Sequence, residues 1–345
     1  MSDRTQNSWW RKDTYQDKRP FLMGRRQIRR ALSEWFERQD FIEVECGALQ
    51  VSPGNETHLH AFATQFVSDT DGSKTPLYLH TSPEFACKKL LAAGETQIVD
   101  FARVYRNREA SALHAPEFTM VEWYRAGAQL TDVMQDCVML AHKAADTVEA
   151  GKLVWKEIEC DPFAPPEMLS CVDAFRTYAD IDLEVVLDDR NAFKAAAEKS
   201  GIGIQEDACW SDIFSAVLTA RIEHQLGRDS LTFLHDYPVC EAALARAKPD
   251  DPRFAERFEM YACGVELANG FNELTDANEQ RTRFEADMAL KKDLYGESYP
   301  IDDDFIAALG QMPPACGVAL GFDRLVMLAT RARTINDVIW TPMDI

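Results

Sequence analysis

An α+β fold is what this sequence predicts, on two observations. Short runs such as Phe101–Arg108 and Glu117–Tyr124 alternate apolar and polar residues with the period of half-buried strands, and Asn269-Gly270 is a strong hairpin signal. Longer stretches at 21–39, 130–150 and across 170–226 repeat apolar residues every three or four positions, the period of amphipathic helices. Short strands mixed with long helices are compatible with an antiparallel sheet flanked by helices. Periodicity alone does not supply the strand order.

At 345 residues the chain can bury one large core or two medium ones. Its 46% hydrophobic and 27% charged residues are the balance of a globular protein rather than a disordered one. No apolar run approaches the roughly 18 residues of a membrane helix, and no apolar segment near the N-terminus reads as a signal peptide. Nine cysteines are scattered without a Cys-x-x-Cys spacing. An odd count with no pairing pattern points to free thiols in a reducing, cytoplasmic setting and away from a cysteine zinc site. The net charge of −20 argues against a broad nucleic-acid-binding face, since only Lys18–Arg30 is locally basic.

Taken in order, residues 1–20 are polar apart from Trp9-Trp10 and read as a flexible N-terminal arm; residues 21–345 read as one domain. Ile28, Leu32, Trp35 and Phe36 form the apolar stripe of a helix over 21–39, and Phe41–Glu45 alternates as a strand. Ser52-Pro53-Gly54-Asn55 is a turn. His58 and His60 would share one face of a strand, but no third ligand lies nearby, and Phe62 and Phe66 favour a packed strand over a metal site. Tyr78–Thr81 is a short strand. Ser82-Pro83-Glu84 then opens the apolar helix Phe85–Ala93, with proline suited to a first turn and glutamate to the positive end of the helix dipole. That junction is either a plain cap or a device aiming a carboxylate into a cleft. Leu130, Val133, Met134, Val138 and Ala141 mark the buried face of the 130–150 helix. Residues 160–166 are a proline-rich connector, and helical patterns at 172–179, 189–200 and 210–226 make a mainly helical insertion at about 170–248. Strand character returns at Glu256–Leu267, and 277–294 is a polar helix.

Three stretches carry the chemistry. On the hairpin 101–127, alternation puts Arg106 and Arg108 on one face with Val104, and Glu122 and Tyr124 beside Phe118 and Met120. Such a hairpin is either solvated or one wall of a site. In Cys263–Asp276, a turn at Asn269-Gly270 would set Glu266 opposite Glu273. Facing carboxylates need a cation, and magnesium, usually shared with substrate phosphates, suits oxygen ligands; the alternative is an Asn-Gly bulge with one glutamate facing solvent. In Gly317–Ala329 a strand runs into a helix, with Gly321 at the junction and Arg324 placed to clamp a phosphate. Neither a P-loop nor a Gly-x-Gly-x-x-Gly run is present.

Together these segments resemble the catalytic domain of class II aminoacyl-tRNA synthetases, most closely the lysyl type, over about residues 20–340. Residues 21–60 are similar to motif 1, and the arginine-bearing hairpin with HAPEFTMVEWY to motif 2. GVELANGFNELTDANEQ is similar to the stretch before motif 3, and GVALGFDRLVML to motif 3 itself. Only about 20 residues precede motif 1, too few for the OB-fold anticodon-binding domain of a lysyl-tRNA synthetase. The truncated paralogues, the elongation factor P–(R)-β-lysine ligases, are the family most similar, through SPEF, EFTMVEWYR and ELANGFNELTDA.

The resemblance implies an antiparallel sheet of six or seven strands and a homodimer built on motif 1. It implies an ATP-dependent ligase that activates (R)-β-lysine or lysine as an adenylate and transfers it to a lysine ε-amine of elongation factor P, with tRNA not an expected partner. The competing readings are a different acceptor and an inactive regulatory paralogue. By position, the resemblance gives amino-acid binding to Ser82, Pro83, Glu84, Tyr124 and Glu273, with Glu122 beside them. It gives ATP binding to Arg106, Asn107, Arg108, Ala115, Glu266, Leu267 and Gly321. Catalytic charge stabilisation goes to Arg106 and Arg324, and Mg2+ to Glu266 and Glu273. The chain departs from the family at Gly47, where motif 1 has proline, and at Arg106-Asn107-Arg108-Glu109, where motif 2 reads Arg-Asn-Glu. Ala115 replaces an asparagine, and the ASAL loop lacks the usual arginine.

Overall fold

The computed structural model describes residues 8–242 and 244–343. Helix α1 (Lys12–Arg38) leads into strands β1 (Ile42–Val44), β2 (Leu49–Gln50), β3 (Phe62–Val67) and β4 (Lys74–Leu79). Helix α2 (Glu84–Ala92) precedes the long hairpin of β5 (Gln97–Tyr105) and β6 (Glu117–Ala126), followed by α3 (Leu130–Thr147). Short strands β7 (Leu153–Trp155), β8 (Ile158–Cys160) and β9 (Glu167–Ser170) then lead to α4 (Cys171–Ala179), α5 (Leu183–Val186), α6 (Arg190–Lys199) and α7 (Trp210–Val217). Strands β10 (Thr232–Pro238), β11 (Phe254–Ala262) and β12 (Val265–Asn272) are followed by α8 (Ala277–Tyr295) and α9 (Asp303–Leu309). Finally β13 (Ala315–Gly321) runs directly into α10 (Phe322–Thr330), with α11 (Ile335–Val338) last.

The architecture is α+β, built on one eight-stranded sheet in the order β1-β5-β6-β13-β12-β11-β10-β9. Its six inner strands are antiparallel throughout. β1 and β9 add parallel edges, which is why the count exceeds the expected six or seven. At three and four residues these edges are too short for hydrophobic periodicity to register.

Alternation along β6 decides what each face of the sheet does. Val121 and Trp123 sink into the main core against Leu32 and Phe36 of α1, Cys137 and Ala141 of α3, and Leu325 of α10. Glu122 and Tyr124 turn to the opposite face, where Tyr124 packs in a second core with Phe85, Phe284 and Phe305. Helix α1 is locked to the β13–α10 corner by a buried ion pair between Arg25 and Asp323. Arg25 also donates to Thr119 Oγ1 at 2.8 Å, and the Thr119 N–H donates to Asp323 Oδ2 at 2.9 Å.

Four expectations change. Residues 12–20 are the first turns of α1 rather than an arm, held by Lys18, whose buried ammonium donates to the Ile339 carbonyl at 3.0 Å; the expected arm's residues 1–7 lie outside the described residues. The helical insertion spans α4 to α7 with its own core of Phe175, Phe193, Ile213 and Phe214, but β10, inside the expected 170–248 range, belongs to the central sheet. His58 sits in a turn and His60 in an isolated bridge to Asn107, not in a packed strand; His58 Nδ1 lies 2.9 Å from the Tyr295 hydroxyl and His60 Nδ1 2.7 Å from Glu297 Oε1.

The fourth change is the largest. Asn269-Gly270 is no turn: both residues lie within β12, with Gly270 facing Phe258 on β11 and Val318 on β13. The turn between β11 and β12 is Cys263-Gly264, at φ +57° and +72°. Glycine is needed at 270 for close packing, since a Cβ there would lie 2.6 Å from the Phe258 ring carbon Cε1. Glu266 therefore pairs with Tyr261, not Glu273.

Candidate active site

A cavity of about 380 Å3 opens on the sheet face that carries Glu122. Its walls come from the turn before β3, the start of α2, the β5–β6 loop, β11, β12 and the β13–α10 junction. Among the expected residues, Ser82, Glu84, Arg106, Ala115, Glu266, Leu267, Gly321 and Arg324 line it. These are brought together from positions more than two hundred residues apart.

At one end a buried network extends behind the cavity wall. Ser82 Oγ donates to Glu122 Oε2 at 2.7 Å, and the Tyr124 hydroxyl donates to Glu122 Oε1 at 2.5 Å. Pro83 does not line the cavity; it caps α2, so that Glu84 and Lys88 stack one turn apart on the same face. Lys88, fully buried, lies 2.6 Å from Glu84 Oε1 and 2.6 Å from Glu273 Oε2. Burial opposes its charge, but Glu273 and then Glu84 outweigh that and hold its pKa above the ordinary lysine value. One ammonium thus faces several carboxylates. Burial, reinforced by Glu84, pushes Glu122 up to about 8, and burial raises Glu273 to about 7. This end is deficient in positive charge.

At the other end two arginines face the cavity. Arg324, in the first turn of α10, donates to the Glu266 carbonyl at 2.9 Å and to the Leu113 carbonyl at 3.3 Å. Its Nη2 also lies 2.8 Å from His114 Nε2, while Ser111 holds the other ring nitrogen at 2.8 Å. Burial first, and the Arg324 charge second, lower the His114 pKa, so the ring accepts from the guanidinium. Arg106 donates to the Thr81 carbonyl at 3.3 Å and stacks 5.4 Å from the Phe118 ring, and among the described residues it has no carboxylate within ion-pair distance. It is a free cation on the wall.

Asn107 and Arg108 are not brought to the cavity. β5 ends at Tyr105, so the expected alternation stops there, and Arg108 adopts φ +67°. Its guanidinium turns outward to Glu297 at 2.8 Å and over the Tyr295 ring, while the Asn107 N–H donates to the His60 carbonyl at 2.7 Å. Glu109, one residue on, lines the cavity instead.

The expected metal pair is also revised. Glu273 is committed to Lys88, and the carboxylate of the cavity wall on which the Glu266 charge acts is Glu259 on β11. Glu259 accepts from Arg257 and from the Tyr261 hydroxyl, each at 2.6 Å, and burial followed by the Glu266 charge raises its pKa. Two oxygen-donor side chains that repel each other beside a cavity fit a hard divalent cation. Glu223, after α7, adds a third acid here, pushed up to about 7 by burial and by Glu259 and Glu266.

Sequence reasoning missed Glu56, Lys88, Arg257, Glu259 and the cavity position of Asn269. Lys88 had a signal, its i+4 spacing from Glu84 on a helix. Glu259 had none, because only the register of β11 against β12 sets it beside Glu266. Nor did spacing foretell that Cys46 and Cys87 sulfurs approach to 3.6 Å, close to Asp100.

Comparison with known proteins agrees with this geometry. Residues 3–345 match the family described as tRNA synthetases class II (D, K and N). The chain is 39% identical over 323 residues to the elongation factor P–(R)-β-lysine ligase of Pectobacterium atrosepticum, covering 92% of this chain and 93% of that one. The enzymes of the same name from Erwinia tasmaniensis and Haemophilus ducreyi are 37% and 36% identical, over 94% and 92% of this chain and 95% and 92% of theirs. The chain belongs to the class II tRNA synthetase family, and within it to the family of the elongation factor P–(R)-β-lysine ligases.

Proposed function

We propose that this protein uses ATP to activate (R)-β-lysine, or lysine, as an aminoacyl-adenylate and transfers the acyl group to a lysine ε-amine of elongation factor P. The observation that carries the substrate class is the surplus of carboxylates with buried oxygens, Glu56, Glu84, Glu122 and Glu273, of which only Glu84 and Glu273 reach an ammonium, that of Lys88. A diamino acid brings the two positive charges this end lacks. The names of the relatives support the acceptor.

The chain's own residues position and neutralise. Ser82, Glu122, Tyr124 and Glu273 hold the distant amine, which sets the substrate carboxylate toward Arg106 and Arg324. A carboxylate oxygen then attacks the α-phosphorus of ATP and pyrophosphate leaves; the two arginines offset the charge that builds on the phosphoryl oxygens, with no covalent enzyme intermediate. Glu259 and Glu266 are the residues that would hold Mg2+, which when bound neutralises phosphate oxygens and orients the leaving pyrophosphate. In the second step the neutral ε-amine of the acceptor attacks the acyl carbon, AMP departs, and the amine's proton is lost. A homodimer belongs to the same reading, supported by the exposed apolar residues Ile42, Leu49, Val51, Phe66 and Val67 on and beside β1 to β3. Pyrophosphate exchange driven by (R)-β-lysine, together with labelling of elongation factor P, tests it. Labelling of tRNA but not of the factor, or exchange with no diamino acid, overturns it.

A further inference from the structure

We propose that Glu56 forms an ammonium subsite of its own, which takes the amino group of the diamino acid nearest to the reacting carboxylate. This rests on the diamino-acid reading above and adds a residue that the family resemblance does not assign.

Glu56 sits in the turn between β2 and β3 and lines the cavity. Its Oε2 is buried with no hydrogen-bond partner, and among the described residues the carboxylate has no cation within ion-pair distance. Burying a carboxylate without a partner is costly, and a folded protein retains such a group where a ligand completes it. Burial, with Glu84 next, raises it to about 7; a hydrogen bond from its own backbone N–H and then Arg106 favour the charged form, and Asp287 opposes it. The nearby Lys291 does not satisfy it, because that ammonium donates to the Thr57 and Leu59 carbonyls at 2.9 and 2.6 Å.

The turn is built around this carboxylate. Gly54 has φ +125°, and a Cβ there would stand 2.6 Å from Glu56 Oε2, so glycine leaves the room the carboxylate occupies. Both flanks are pinned: Asn55 Nδ2 donates to the Pro300 carbonyl at 3.3 Å, and Thr57 Oγ1 donates to Asp287 Oδ1 at 2.9 Å. A pinned turn that holds a carboxylate on the cavity wall, with one of its oxygens buried and unpartnered, is a preformed acceptor.

Position selects the amine. Glu122, Tyr124 and Glu273 lie behind the wall and suit the far amine. Glu56 shares the wall with Arg106, the free cation that faces the reacting carboxylate. The group beside that carboxylate, α in lysine and β in (R)-β-lysine, is the one within its reach.

Calorimetry on the intact protein tests this with lysine, (R)-β-lysine and 6-aminohexanoate, which lacks the near amine. Glu56→Gln should weaken both diamino acids by at least about tenfold, the worth of a hydrogen bond to a charged group, and leave 6-aminohexanoate within about twofold. In exchange assays the loss should fall on the KM for the diamino acid, not on kcat or the KM for ATP, and Glu56→Asp should recover part of it. Because the variant removes an unpaired buried charge, its thermal midpoint without ligand should stay level or rise above about pH 7. Equal weakening of all three ligands with a lowered midpoint, or no weakening at all, overturns the inference while leaving the enzyme's reading intact. A wild-type protein that binds neither diamino acid overturns both.

Discussion

The two ends of the cavity differ in how their residues are held. At the end proposed for the amino acid, Ser82, Glu84, Glu122, Tyr124 and Glu273 stand on or next to regular elements and are tied to one another by short contacts through buried atoms. At the end proposed for the nucleotide, Arg106 to His114 come from a loop, and two of the expected residues, Asn107 and Arg108, face elsewhere. Strand and helix geometry fixes where a side chain points from its sequence position, whereas a loop does so only through tertiary contacts. On the proposed function the closed end recognises charge by preorganisation, and the open end through Arg106, which has no carboxylate partner among the described residues, and Arg324, which lies 3.4 Å from Glu266.

That contrast can be broken in order of size. Arg324→Ala should lower pyrophosphate exchange by about 10²–10³-fold, the typical loss for one preorganised charge-stabilising donor; a change under about tenfold would remove Arg324 from the chemistry. Lys88→Met should destabilise the fold by about 3–5 kcal/mol, because Glu84 and Glu273 would be left as buried acids without their cation. Denaturant melts would measure it, and addition of Glu273→Leu should restore much of the loss.

A third test uses pH. Glu122, Glu56 and Glu273 are raised to about 8, 7 and 7. A raised carboxyl pKa stabilises the fold fully below the unfolded value of about 4.3, and that contribution is lost as pH climbs through the folded value. The ligand-free thermal midpoint should therefore fall between about pH 5 and 8, while the shift produced by saturating lysine grows over the same window. A ligand shift that does not change with pH would mean the carboxylates are not the receptor. The smallest effect belongs to Arg108→Ala. Its half-exposed pair with Glu297 is worth about 0–1 kcal/mol, and the KM for ATP should change by less than about threefold. A large rise would return Arg108 to the nucleotide end.

Legibility followed the same divide. Glu122 and Tyr124 were readable as a shared face because β6 is a regular strand of ten residues. Arg324 was readable from its place one turn past a strand–helix junction. Asn269-Gly270 misled because a dipeptide favoured in hairpins was selected here for the space that Phe258 takes above Gly270. The pairing of Glu266 with Glu273 fell with it.

The roles proposed for the amino-acid end came from the family resemblance; what the sequence determined by itself was the α+β composition, most of the inner strands and the helices between 170 and 226. Those depend on local periodicity and on caps, which act within a few residues. Tertiary structure alone decided the register that sets Glu259 beside Glu266, the outward turn of Arg108, and the orphaned carboxylate of Glu56. Each depends on which distant segment packs against it, and no local pattern encodes that distance.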